Sequence, residues 1–181
     1  MIYNYKLELD DCQTHLLYTI SRSSSDIKTR AKIRLMMTIF LFILAIISFG
    51  NKSTGQGLYL CTLSILVYAI MPKYTSWSYK KTYLKQVKKY YHDRISEPTS
   101  FQILGNSFHI ADSHGESTLL ASDIEQINEL ANYCFIKTKS GQSIILPLHS
   151  IDSSEDLILE LTSFADEAEI TWNDEVNWIW K

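Results

Sequence analysis

"LMMTIFLFILAIISFGN" (35–51) and "STGQGLYLCTLSILVYAIMP" (53–72) stand on either side of Lys52, and neither contains a charged residue. A bilayer core is about 30 Å thick and needs about 20 helical residues, within a working range of about 17–25. The two runs hold 17 and 20 residues, so both reach that range. Leu, Ile, Phe and Met fall on every side of a helical wheel. Lipid exposure gives that pattern, whereas a soluble amphipathic helix shows one apolar stripe. The small polar bend between them, "SFGNKSTGQG" (48–57), suits a tight exposed turn. These observations predict a transmembrane helical hairpin over 33–72. The competing expectation is a buried helical hairpin in a soluble protein, with both runs covered by the rest of the chain.

The flanks orient the hairpin. Lys28, Arg30, Lys32 and Arg34 precede it, and Lys73, Lys80, Lys81, Lys85, Lys88 and Lys89 follow it, while the bend has Lys52 alone. The positive-inside rule then places both termini in the cytoplasm and the bend outside. Tyr59, Tyr68, Tyr74, Trp77 and Tyr79 suit interfacial belts. The opening "MIYNYKLELDDCQ" has no basic region followed by an apolar core, so membrane entry is expected through the internal runs.

Overall composition hides this organisation. The net charge is -3 and the mean hydropathy is close to zero, as in an average soluble protein. Yet residues 1–94 hold 14 Lys/Arg against 5 Asp/Glu, a balance of +9, and residues 95–181 hold 3 against 15, a balance of -12. Such halves face different surroundings. Cys12, Cys61 and Cys134 are scattered and odd in number, which fits a reducing compartment rather than a disulfide framework.

Four segments follow. Residues 1–32 read as an N-terminal strand, "IYNYKLELDD", and a helix beginning near Cys12, capped by Asp10 or Asp11 and interrupted at Ser23–Ser25. Residues 33–72 are the hairpin. Residues 73–95 read as a basic, aromatic juxtamembrane helix, whose cations are accounted for by topology before lipid-headgroup recognition is needed. Residues 96–181 read as a β-rich domain. "SFQIL" and "SFHIA" flank Gly105-Asn106, "STLLAS" follows "SHGES", and "NYCFIKT" and "SIILPL" flank "KSGQ". "SDIEQINEL" is a strand or a single turn, and Pro147 ends a strand or marks an edge. "SSEDLILELTSFADEA" predicts an amphipathic helix capped by Ser153 or Ser154, with Leu157, Leu161 and Phe164 inward. "ITWNDEVNWIW" is left as a closing strand or a docking segment.

This order resembles the YcxB-like family of bacterial two-span membrane proteins. The resemblance is carried by "SDIEQINELANYCFIKTKSGQSIILP" followed by a helix. The chain departs from the family near Ser122, where a tryptophan often stands. The resemblance implies a pleckstrin-homology-like barrel closed by one C-terminal helix, and brings no assigned molecular function. The fold class expected is therefore an α+β membrane protein: a two-helix transmembrane hairpin plus a small antiparallel β-rich domain capped by a C-terminal helix.

Chemistry is sparse. His15, His92, His109, His114 and His149 show no metal-ligand spacing, and CxxC, HExxH, GxSxG, GxGxxG and Walker patterns are missing. The carboxylates of 152–175 read as a solvated face, and Trp172, Trp178 and Trp180 as core or interface anchors. Ser48, Thr62 and Ser64 are small residues within or beside the spans, without a GxxxG pair. No catalytic, cofactor or metal residues are assigned, no cofactor is expected and the chain is not read as an enzyme. The basic helix lies beside a hairpin and an acidic domain, which excludes nucleic acid as a partner. What remains is an interaction module at the bacterial inner membrane, with the bilayer and either a basic protein or a second copy as partners. Two other readings are kept: an immunity or resistance protein against a membrane-active toxin, and a membrane enzyme.

Overall fold

The computed structural model describes residues 1–90 and 97–180. His92 and Arg94, at the end of the expected basic helix, lie outside the described residues. Contacts divide the chain into two units. Met1–His15 and Gln86–Ile179 form one, and Leu16–Lys85 with Trp180 forms the other.

The first unit is the β-rich domain. It opens with β1 (Ile2–Lys6), whose alternation buries Tyr3 and Tyr5. β1 pairs antiparallel with β2 (Pro98–Leu104), Tyr3 opposite Phe101. The sequence reading set residues 1–32 apart from the C-terminal domain. The structure instead places β1 in that domain's sheet, a long-range pairing that no local pattern encodes. β3 (Ser107–Asp112) and β4 (Gly115–Leu120) complete a sheet of order β1-β2-β3-β4. The β2–β3 turn is two residues long, and Gly105 supplies a positive φ of 53° at its first position.

A 3₁₀ turn at Ala121–Asp123 leads to β5 (Ile124–Leu130), then β6 (Tyr133–Thr138) and β7 (Ser143–Pro147), so the ambiguous "SDIEQINEL" resolves into turn plus strand. The second sheet has the order β7-β6-β5-β8, and Pro147 ends an edge strand as expected. The closing strand β8 (Thr171–Asp174) pairs parallel to β5, not antiparallel, because it arrives after a helix rather than a hairpin. That helix, α4 (Ser154–Glu167), turns Leu157, Leu161 and Phe164 inward. Phe101 and Phe108 of the first sheet, Ile127, Ile136 and Leu146 of the second and these three residues share one core. The Phe108 and Phe164 rings lie 4.4 Å apart. Ser153 holds the N-cap position of α4 but makes no side-chain capping bond; Glu155 and Asp156 sit at the positive end of the helix instead.

The second unit is helical. α1 (Leu9–Arg22), which starts in the first unit, ends before Ser23, whose hydroxyl caps α2 (Ser24–Gly50) by accepting the Asp26 N–H at 3.3 Å. α1 begins three residues earlier than expected. Asp11 stands within its first turn and accepts the Glu8 N–H at 2.7 Å, the acidic half of a capping box. α3 (Thr54–Tyr90) runs unbroken through Pro72, so the second apolar run and the basic stretch are one helix rather than two. At about 1.5 Å per residue α2 and α3 are about 40 and 55 Å long. Both helices are long and apolar, and the described chain does not cover them: Phe40 is 62% and Ile65 69% exposed. In α2 only Ala45 is buried.

The bend between them is built differently from its composition. Gly50 and Gly55 are helical, and the left-handed residue is Lys52 at φ 58°. Lys52 N–H donates to Phe49 O and Ser53 N–H to Ser48 O, both at 3.0 Å, the two bonds of a Schellman motif. Gly57 has its own reason: the Phe49 ring lies where a Cβ would be, at 2.7 Å.

α4 ends in the same way. Glu169 has φ 54°, and Ile170 N–H donates to Ala165 O at 2.9 Å. Glycine is favoured at this position because a Cβ crowds the following carbonyl. Since the Glu169 side chain is exposed, Glu169→Gly is expected to stabilise the protein by about 1 kcal/mol. Thermal or chemical denaturation in detergent micelles checks this; a variant no more stable than the parent contradicts it.

Candidate functional site

The buried start of α1 gathers the most chemistry. Asp11 is 1% exposed, and besides the Glu8 N–H its carboxylate faces His149 Nε2 at 3.6 Å. The Tyr133 hydroxyl hydrogen-bonds Asp11 and Thr14; burial first, then the Asp11 charge, pushes it up to about 12. The Tyr133 ring stacks on Phe135 at 5.6 Å and meets His149 edge-on at 5.7 Å. His15 lies edge-on to Phe135 at 5.0 Å. Two of the five histidines thus join one cluster through partners far away in sequence, which histidine spacing could not reveal. Asp11 is both the cap that the sequence predicts and, through its long-range partners, a polar hub.

This hub binds α1 to β6 and the turn after β7 but holds no activated nucleophile. Burial pushes the Cys12 thiol up to about 11, and burial also raises that of Cys134. A thiol attacks as the thiolate, so at neutral pH both are poor nucleophiles. Among the described residues no three His, Cys, Asp or Glu side chains converge as metal ligands. The other two described histidines pair with surface acids: His109 with Glu116 at 3.7 Å, and His114 with Glu97 at 3.4 Å.

The helical unit carries aromatic–cation contacts. The Arg34 guanidinium lies 4.8 Å from the Tyr68 ring, and that of Arg30 lies 5.1 Å from Tyr79 and 5.2 Å from Trp180. Trp180 Nε1 donates to Ser76 O at 3.3 Å. These contacts join α2 to α3 at the end remote from Lys52. Trp172 packs against the domain core.

The outer face of α4 is acidic. Asp152, Glu155, Asp156, Asp166, Glu167 and Glu169 are exposed around Leu159, itself 67% exposed. Glu160 instead turns partly inward and accepts the Tyr3 hydroxyl at 2.8 Å.

Residues 103–165 match the YcxB-like protein family. The match runs from Ile103 in β2 to Ala165 in α4, about a third of the chain. No curated protein and no solved structure matches the chain. The YcxB-like segment includes Tyr133, His149 and half of the acidic face, Asp152, Glu155 and Asp156. Asp11, Arg30, Trp180 and β8 lie outside it.

Burial pushes the His15 imidazole down to about 4 from 6.5. Between these values the unfolded chain takes up a proton that the folded chain refuses. The stabilisation from neutral His15 is therefore full above pH 6.5 and is lost as the pH falls toward 4. Melting curves across that window are expected to slope several degrees less in His15→Leu than in the parent. Equal slopes would assign the acid sensitivity to another group.

Proposed function

We propose that this chain is a bacterial inner-membrane protein that presents a pleckstrin-homology-like cytoplasmic domain as a binding module for basic protein surfaces. α2 and α3 cross the bilayer, the bend at Lys52 faces outward, and both termini lie in the cytoplasm. The observation that carries this is the uncovered apolar surface of both helices, with ten lysines and arginines at one end of the hairpin and Lys52 alone at the other. The pairing of β1 with β2 supports it. These strands precede and follow the hairpin, and strands paired in one sheet fit a hairpin whose two ends share a side of the membrane.

Two sheets over one core with a covering helix support the pleckstrin-homology-like reading; β8 is an addition to that plan. The acidic face of α4 is repelled by anionic headgroups and attracted to cationic protein surfaces. Cross-chain association through this face steers encounter and weakens with salt.

The test is capture of partners by full-length tagged protein from solubilised membranes, comparing the parent with Glu155→Lys/Asp156→Lys/Glu167→Lys. Each exposed charge contributes about 0.2–1 kcal/mol, so the triple reversal is expected to cut capture roughly tenfold. Captured proteins should present basic surfaces and elute with salt. Capture that is unchanged by reversal and insensitive to salt would overturn the reading.

A further inference from the structure

We infer that β8 is an exchangeable strand: the C-terminal strand of one copy completes the β5 edge of a second copy. Three features of the structure lead there.

The first is how β8 is held. It has four residues, sits at the sheet edge and makes a parallel pair, with Trp172 turned toward the core. Asn173 Nδ2 donates to Asn128 Oδ1 at 2.9 Å, and Glu175 N–H donates to Glu129 O at 2.8 Å just past the strand.

The second is what β5 requires. Asn128 is 2% exposed, and its Oδ1 also accepts Gln126 Nε2 at 3.1 Å, while its Nδ2 donates to Phe135 O at 3.4 Å. Without Asn173 the buried Asn128 Oδ1 keeps Gln126 Nε2 as a donor but loses its second hydrogen bond, which an Asn173 from either copy of the chain restores. The best-fitting occupant on view is β8 itself, and a second copy offers the identical strand.

The third is the link. Only Ala168–Ile170 joins α4 to β8, and Glu169 there is left-handed without being glycine. A short strained hinge favours exchange, because the strain is released when the hinge extends while every strand contact is recovered in trans. Anchoring in one membrane raises the effective concentration of neighbouring copies. This last point rests on the membrane reading proposed above.

Cysteines placed across the β5–β8 pair test the exchange. Gln126 and Thr171 are register partners, and Thr171 is exposed. Two differently tagged full-length chains are co-expressed, one Gln126→Cys and the other Thr171→Cys, both with Cys61→Ala; Cys12 and Cys134 are buried and remain. A short bis-maleimide is applied to whole lysate, and pellet and supernatant are then separated, so a chain that is not in membranes is recognised independently of cross-linking. A covalent dimer carrying both tags is expected. Glu169→Gly removes the strain and should lower its yield about fivefold. Glu169→Pro forbids the left-handed φ and should raise it. Mere proximity of copies would leave the yield blind to residue 169. No two-tag dimer in any of the three backgrounds, or a yield unaffected by both hinge variants, would overturn the exchange.

Discussion

Ile2–Lys6 and Pro98–Gln102 pair strand to strand, with two long apolar helices inserted in the chain between them. Every larger feature depends on that pairing. It makes the N-terminus part of the C-terminal domain. An insertion closed in this way can be an even number of membrane crossings but not an odd one. Tyr3 shows how firmly β1 is held: its ring is buried in the core, and its hydroxyl donates to Glu160 of α4. Burying an aromatic ring of this size contributes about 1.5–3 kcal/mol.

The two units have opposite solvent requirements. In the domain, large apolar side chains converge: Phe101, Phe108, Ile136, Leu157 and Leu161 are all fully buried. In the helices they diverge: Met36, Phe40, Ile46, Ile65 and Ile70 are all about half exposed or more. Water-soluble proteins rarely leave so continuous an apolar surface uncovered. The proposed bilayer resolves the difference, and the charge of the two halves follows from it, with cations where headgroups are expected and acids where the domain meets water. The polar hub around Asp11 belongs to the domain side, where it fixes the start of α1 against β6.

Local patterns made much of this legible. The uncharged runs on either side of Lys52 gave both long helices, turn residues gave the hairpins of the domain, and the spacing of Leu157, Leu161 and Phe164 gave the inward face of α4. What stayed hidden depends on distance or on backbone detail. β1 alternates plainly, but nothing in "IYNYK" says that its partner is "PTSFQ" across the hairpin. The direction of β8 is set by the preceding helix and not by "TWND". Both left-handed helix ends escaped composition, since glycine is the usual occupant and Lys52 and Glu169 stand there instead. The Asp11–Tyr133–His149 cluster joins three distant stretches, so no motif could announce it. Pro72, a usual helix breaker, lies inside α3.

The central claim is that the inserted hairpin crosses a membrane and returns, leaving the strand pair and the whole domain on one side. Sided labelling tests it most directly, with single cysteines at Thr54, Asn4 or Ser140, all exposed, in a Cys61→Ala background. A membrane-impermeant maleimide applied to intact spheroplasts is expected to label Thr54→Cys at once, and to reach Asn4→Cys and Ser140→Cys only after the membrane is permeabilised. Labelling of Ser140→Cys or Asn4→Cys in sealed spheroplasts, or protection of all three positions until lysis followed by recovery of a folded chain in the soluble fraction, would contradict the account.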